Sequence, residues 1–566
     1  MELHSVASKL EPLEPQAVAY WRRMRERAET EHKNLLDEAL LVLAEKRLGD
    51  WRNKILLSLP PQDALQGSIL LGTVVYDNKR WPASLTSDEF LRGVGIYGMT
   101  GAGKTNVVFH FLLQLLQQRI PWLFVDFKRT GRHLLTRLSE RVQVYTPGRH
   151  LSPFPFNPFV VPPGLDENVY VSVVADLMGR AYDFKEAGKY AFHKALRSCY
   201  TTGNLAPTVQ EVIAALRALD ESEVSRQWKT SVARSLETIE LASFSSKDKI
   251  SQEALAKMLL RNYTILEVDG LTDSGKAFLL PLLSLWLYYV KLADTRREQL
   301  SFCLVYEEAH NILYGSERAA RESPIAMILR QARELGIAMV VVDQHPSLIS
   351  SAALGNAYTT ISLNLKDPSD VSKAAALSLV DQSDRNYFSQ LPIGQGIVKL
   401  QGRWRRPFLV QFPLIYVNKG AVTDETLAGY LSGERLSPLS RVPEGNSADN
   451  GHFLSVDTFS VDARALLQDV VAFPNDPLVV RFKRLLFSCK KGERLKEELR
   501  GLGLLKAERI QVNNTHRVML SPTKEGSRIL GANPESSHES QEHLFWKRYY
   551  ARLLTSLGFS DVILEA

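Results

Sequence analysis

Short, predominantly apolar runs that end on charged or amide side chains recur through the middle of the chain. They are "IPWLFVDFK" from Ile120, "NYTILEVDG" from Asn262, "SFCLVYEEAH" from Ser301 and "GIAMVVVDQHPS" from Gly336. A strand-length run without polar alternation is the pattern of a strand buried on both faces, as in a parallel sheet covered by helices. Before the first of them, "RGVGIYG" reads as another short buried strand, and "NVVFHFLLQLLQQ" carries apolar residues at helical spacing. Strand, loop, helix and strand in that order predict a right-handed parallel crossover, hence an α/β fold. The most apolar stretch, "AFLLPLLSLWLYYV" from Ala277 to Val290, contains Pro281 and falls short of the roughly 20 residues needed to span a bilayer. It predicts a buried helix.

Around this centre the pattern divides the chain. Pro15 to Leu48 has no internal glycine or proline and is rich in helix formers, which predicts one or two helices in an N-terminal segment, 1–66. The main domain is expected over 67–415, interrupted at about 157–260 by a helical insertion in which Thr208 and Glu211 form a capping box. It closes with "GQGIVKLQGRWRRPFLVQF", two strand-like runs around a basic turn whose Arg403, Arg405 and Arg406 either contact phosphates or form an exposed hairpin tip. A linker follows over 416–452. Residues 453–535 read helix, helix, strand, Asn-Asn turn, strand and a "TKEG" helix start, the order of a winged helix. Its basic excess suits a phosphate backbone, although such modules also dock proteins. The tail, 536–566, reads as a helix and a strand; it resembles the start of a nuclease-like domain but lacks the further carboxylate and lysine that cleavage requires.

Composition narrows the class without changing the picture. With 566 residues, 45% of them hydrophobic and 23% charged, the chain is an ordinary globular protein of several domains. A net charge of +6 is too mild to establish a nucleic-acid partner by itself. The three cysteines, Cys199, Cys303 and Cys489, lie far apart without metal-ligand spacing, which predicts thiols in a reducing compartment. The opening "MELHSVASKLEPLEPQ" has neither a basic nor an apolar signal region, so a cytoplasmic protein without a membrane association is expected.

The chemistry begins at "GMTGAGKTN", Gly98 to Asn106, which fits G-x-x-x-x-G-K-[ST] in the required strand–loop–helix setting. The candidate nucleotide-binding residues are Gly98, Thr100, Gly101, Ala102, Gly103, Lys104, Thr105 and Asn106. Backbone N–H groups at the helix start would cradle the β-phosphate of ATP, Lys104 would reach the β- and γ-phosphates, and Thr105 would bind Mg²⁺. In "LVYEEAH", Glu307 is expected near the Mg²⁺, partly through water, and Glu308 to polarise the attacking water. At the end of the next run, Gln344 is either a structural cap of the strand or a candidate sensor, whose amide could hydrogen-bond the γ-phosphate and report its loss.

Taken together, "GMTGAGKTN", "VDFK", "VYEEAHN", "RQARELGIAMVVVDQHPS" and "TTISLNL" resemble, in order, the HerA branch of the HerA/FtsK superfamily of P-loop ATPases, the DUF87 type. The resemblance runs from about Gly72 to Phe412. It implies a RecA-like core, a hexameric homo-oligomer, double-stranded DNA as the substrate of translocation or unwinding, and an arginine lent to the neighbouring subunit. Arg333 holds the matching position, with Arg330 one helical turn earlier. Two departures stand out: Glu307 replaces the usual aspartate, and the family's N-terminal β-barrel gives way to helices.

The leading expectation is therefore a ring-forming, ATP-dependent double-stranded DNA translocase or helicase. The resemblance further implies DNA processing or antiviral defence with a nuclease or other effector partner. The alternatives are an ATP-dependent scaffold that activates an effector, and a conjugation or protein-transport motor.

Overall fold

The computed structural model describes residues 2–434 and 461–523, apart from 50, 52–53, 139, 223, 242–251, 296, 314–327, 329–330, 473–477, 486 and 513–514. The chain divides into two compact units, Met1–Val442 and Pro443–Ala566. The "TKEG" helix start and the 536–566 tail expected from the sequence lie outside the described residues, as does Arg330.

The first unit opens with three helices, α1 (Glu2–Leu10), α2 (Pro15–Arg27) and α3 (Thr30–Leu48). Val6, Leu10, Val18, Trp21, Leu40 and Leu48 form their common core, which closes over Tyr76 of the sheet. Lys9 pairs with Asp384 at 3.0 Å, so the N-terminal segment is seated on the main domain.

The sheet then begins with a hairpin that the sequence pattern did not reveal, β1 (Ile69–Tyr76) and β2 (Lys79–Leu85). After α4 (Ser87–Leu91) come β3 (Val94–Tyr97), α5 (Lys104–Gln117), β4 (Trp122–Asp126) and β5 (Gln143–Tyr145). The helical insertion follows as α6 (Glu167–Ala181), α7 (Glu186–Thr201), α8 (Val209–Ala218), α9 (Arg226–Leu241) and α10 (Gln252–Leu259). The expected capping box starts α8: the Glu211 N–H donates to the Thr208 hydroxyl at 3.2 Å, and the Thr208 N–H to the Glu211 carboxylate at 2.6 Å. The chain returns to the sheet through β6 (Tyr263–Glu267), the buried helix α11 (Asp273–Leu292), β7 (Phe302–Tyr306), the short α12 (His310–Leu313), β8 (Ile337–Asp343), β9 (Thr359–Ser362), β10 (Gln395–Leu400) and β11 (Phe408–Gln411).

All of these strands join one sheet in the order β2-β1-β11-β10-β9-β3-β8-β7-β4-β6-β5. From β9 to β5 every pairing is parallel, and the remaining pairings are antiparallel. Alternate residues serve two cores. Leu123, Val125, Leu304, Tyr306, Met339 and Val341 face α11 and the insertion, while Trp122, Phe124, Cys303, Val305, Val340 and Val342 face α5. Each such side chain contributes about 1.5–3 kcal/mol on burial, so a one-residue slip that exchanged the two sets would be opposed many times over.

One pair of alternatives narrows and one expectation changes. The basic turn has the form of an exposed hairpin tip: the Arg403 guanidinium is tied to the Glu89 carboxylate at 2.6 Å and to the Ser84 carbonyl at 2.8 Å, while Arg405 and Arg406 are exposed. The stretch expected to be linker from 416 contains a helix, Asp424–Leu431, whose Leu427 is buried in the α5-side core.

The second unit contains helices Val461–Ala472, Leu478–Arg484 and Cys489–Gly501, followed by the antiparallel pair β12 (Leu505–Val512) and β13 (Thr515–Pro522). Leu466, Leu467, Phe482, Leu495, Leu499 and Leu520 make its core. Arg481 is wholly buried and paired with Asp469 at 3.0 Å, which removes it from the basic surface counted in the sequence. Cys199 and Cys303 are buried, and Cys489 is exposed.

Candidate nucleotide site

Parallel pairing brings the carboxyl ends of four strands to one edge. Tyr97 of β3 lies beside Asp343 of β8, Val341 beside Tyr306 of β7, and Tyr306 beside Val125 of β4. Adjacent strands are about 4.8 Å apart. The residues that follow them, Gly98, Gln344, Glu307 with Glu308, and Lys128, are thereby gathered from across the sequence. Strand β8 is inserted between the phosphate-loop strand and the acidic strand, so that Gln344 at its end stands between Thr100 and Glu308.

The loop from Gly98 to Gly103 owes its shape to its glycines. Gly101 and Gly103 have φ of 82° and 105°, a left-handed conformation that costs other residues dearly. At Gly98 a Cβ would stand 2.8 Å from that of Leu363. Thr100 lies on the exposed crest, Ala102 is buried beneath it, and Gly103 leads directly into α5. Lys104 curls back to donate to the Gly98 and Met99 carbonyls at 2.6 and 3.1 Å. Burial lowers its pKa, opposed by the charge of Glu308. Such an ammonium is ready to exchange two weak carbonyl partners for phosphate oxygens.

Asn106 differs from its neighbours in the motif. Its amide donates to the Pro413 carbonyl at 2.7 Å and accepts from the Ile415 N–H at 2.6 Å, so it clasps the chain after β11 against the start of α5.

The adjacent acids occupy different environments. Glu307 is buried; one oxygen accepts from the Thr105 hydroxyl at 3.1 Å, and the other has no hydrogen-bond partner. Burial holds its pKa well above the ordinary carboxylate range, and the nearby charge of Asp126 pushes in the same direction. Asp126 is likewise raised by burial, although the N–H groups of Lys128 and Gly131 donate to it at 2.8 and 2.6 Å. An unpaired, buried carboxylate oxygen beside a hydroxyl is a hard-oxygen donor set that fits Mg²⁺.

Glu308, by contrast, keeps some contact with solvent, its side chain 12% exposed, and is engaged by donors. Lys128 Nζ and Gln344 Nε2 both donate to its Oε1, the latter at 2.5 Å, and Gln344 Oε1 accepts from the Thr100 hydroxyl at 2.5 Å. Burial raises the Glu308 pKa, yet the Lys128 and Gln344 contacts carry it below its ordinary value. Lys128 was visible in the sequence only as the charge ending an apolar run. A cation at the end of the strand paired with the acidic strand is the signal that could have singled it out. Asp343 is saturated by internal donors, the N–H groups of His310 and His345 at 2.6 and 2.7 Å and the His310 ring at 3.0 Å.

Arg333 is not part of this gathering. It lies before the amino end of β8, whose seven residues span roughly 20 Å, so the sheet separates it from the phosphate loop of its own chain. Among the described residues its guanidinium reaches Asp88, at 3.7 Å, and its Nε is buried without a partner.

Residues 69–284 match the family model DUF87, described as "Helicase HerA, central domain". Over these residues the chain is similar to the HerA family. The HerA-type domain is a P-loop ATPase, and its sheet is the RecA-like core that the resemblance implied. Similar solved structures include the bacterial conjugative coupling protein TrwBdeltaN70, 13% identical over 59% of this chain and 88% of that one, with a TM-score of 0.46. VirB4 of Thermoanaerobacter pseudethanolicus is 13% identical over 62% and 97%, with a TM-score of 0.49. The genome packaging NTPase B204 from Sulfolobus turreted icosahedral virus 2 is 9% identical over 58% and 98%, with a TM-score of 0.28. A comparison with curated proteins gave no match. Among the described residues, no helix is long and apolar enough to cross a membrane.

Proposed function

We propose that the chain is an ATP-driven translocase of double-stranded DNA that works as a homo-oligomeric ring, in the hexameric form usual for HerA-type motors, with each hydrolysis site completed by a neighbouring subunit. The observation that carries this reading is the position of Arg333. A partly exposed arginine with one long ion pair, at the wrong end of the strand for its own phosphate loop, is available to a second copy. An arginine supplied in this way stabilises charge on the transferring phosphoryl group.

Within one chain the geometry supports the following roles. Lys104 turns from the Gly98 and Met99 carbonyls to the phosphates. Thr105 and Glu307 are the residues that would hold Mg²⁺, which neutralises charge on the β- and γ-phosphate oxygens when bound. Glu308 orients the attacking water and accepts its proton. Gln344, between the loop and Glu308, registers the γ-phosphate. In this reading a nuclease or other effector acts on the DNA that the ring delivers, in DNA processing or defence.

Steady-state ATP hydrolysis with and without linear double-stranded DNA tests the proposal, with Glu308→Gln as control. Stimulation by DNA that is lost in the variant supports it. Hydrolysis indifferent to DNA overturns the motor reading and favours an ATP-dependent scaffold. Mixing Lys104→Ala with Arg333→Ala protein is expected to restore some activity, since mixed rings contain sites with both groups intact; no recovery overturns the shared site.

A further inference from the structure

Glu308 is poorly arranged for catalysis as it stands. A carboxylate that must take a proton from water here shares one oxygen between an ammonium and an amide. Both sides of the contact also carry unusual backbone. Glu308 has φ of 45° and Arg129, next to Lys128, φ of 55°, conformations that non-glycine residues hold only when their surroundings impose them. At Arg129 the imposing contacts are visible: its Nε donates to Asp269 at 2.6 Å, and its guanidinium lies 3.7 Å from Asp424 of the helix Asp424–Leu431. The Lys128 turn is therefore set from outside the nucleotide site.

We propose that Lys128 is a positioning residue that latches Glu308 in the nucleotide-free site, and that the γ-phosphate of ATP opens the latch by drawing Lys128 and Gln344 to itself. The inference rests on the reading of Glu308 as the group that activates water. A terminal phosphate offers more charge and more acceptor oxygens than one carboxylate, so it competes well for a flexible, half-exposed ammonium. The Thr100 hydroxyl ties the same event to the phosphate loop, because filling the loop disturbs its bond to Gln344. The latch keeps Glu308 from acting until the nucleotide is in place, and the ion pairs of Arg129 set how firmly it holds.

The test uses the full chain without DNA, measuring hydrolysis and, separately, binding of a fluorescent ATP analogue. In the ATP-bound site the Lys128 ammonium divides between Glu308 and the γ-phosphate, so Lys128→Met, which frees Glu308 in every molecule, is expected to raise kcat by about tenfold, the value of one charge-assisted contact, and to weaken analogue binding because the γ-phosphate loses the same ammonium. Lys128→Arg should keep the low rate, and Lys128→Met combined with Glu308→Gln should be inactive, because the added turnover passes through Glu308. Arg129→Ala, which loosens the turn without touching the site, should raise kcat in the same direction by less, and it decides the matter if Lys128→Met does not fold. An unchanged or lower kcat in the folded variants overturns the latch. If Glu308→Gln alone still hydrolyses ATP, the reading of Glu308 fails instead, so the two failures are distinguishable.

Discussion

At the end of β6, Glu267 is fully buried and its oxygens meet two guanidinium groups, those of Arg132 and Arg149. Two strands away, at the end of β7, Glu307 is almost as buried and has one oxygen with no partner. The first cluster is closed: Arg132 reaches on to Asp424 at 2.6 Å, and the helix Asp424–Leu431 is fastened to the sheet. The second awaits something from outside. Burying a charge without a partner is costly, and a fold carries that cost where a ligand will complete the set. One sheet edge thus holds a structural lock beside a receptive site.

Breaking the receptive site should abolish turnover and leave folding alone. The largest effect is expected for Arg333→Ala, a loss of about 10³ to 10⁵ in kcat, with the melting temperature little changed, since among the described residues the side chain's ion pair is one long contact to Asp88. Glu308→Gln should lose about 10² to 10⁴ in kcat, again at constant stability by thermal melting. Breaking the lock should do the reverse. Arg132→Ala leaves Glu267 buried with one cation fewer and is expected to cost about 3–5 kcal/mol by denaturant unfolding. The smallest effect sharpens the comparison from the ligand side. Mg²⁺ with a non-hydrolysable nucleotide should stabilise the natural protein by about 2.7 kcal/mol at 100 times the dissociation constant, and Glu307→Ala by clearly less at the same concentration.

The two regions were not equally legible. The phosphate loop and the acidic strand could be read because their chemistry is local: a glycine pattern, an apolar run, a pair of acids. The central parallel strands β4, β7 and β8 could be read because burial on both faces leaves them almost wholly apolar up to their carboxyl ends. The lock could not, since Arg132, Glu267 and Asp424 meet only through the order of strands in the sheet. Asn106 looked like part of the phosphate loop, and its real partners, Pro413 and Ile415, stand some three hundred positions away. The hairpin of β1 and β2 escaped notice for a related reason. Its exposed, charged second strand has a weak pattern of its own, and what holds it is pairing of β1 with β11 and hydrogen bonds between Leu70 and Gln114 of α5.

The placement of the three thiols has a practical side. Cys199 and Cys303 are enclosed, and burial raises the pKa of both, so neither ionises readily at neutral pH. Cys489, at the start of a helix in the second unit, is open to solvent. A maleimide dye added briefly to the unmodified protein would therefore mark the second unit first, and its fluorescence could follow that unit through a cycle of hydrolysis without a single engineered substitution.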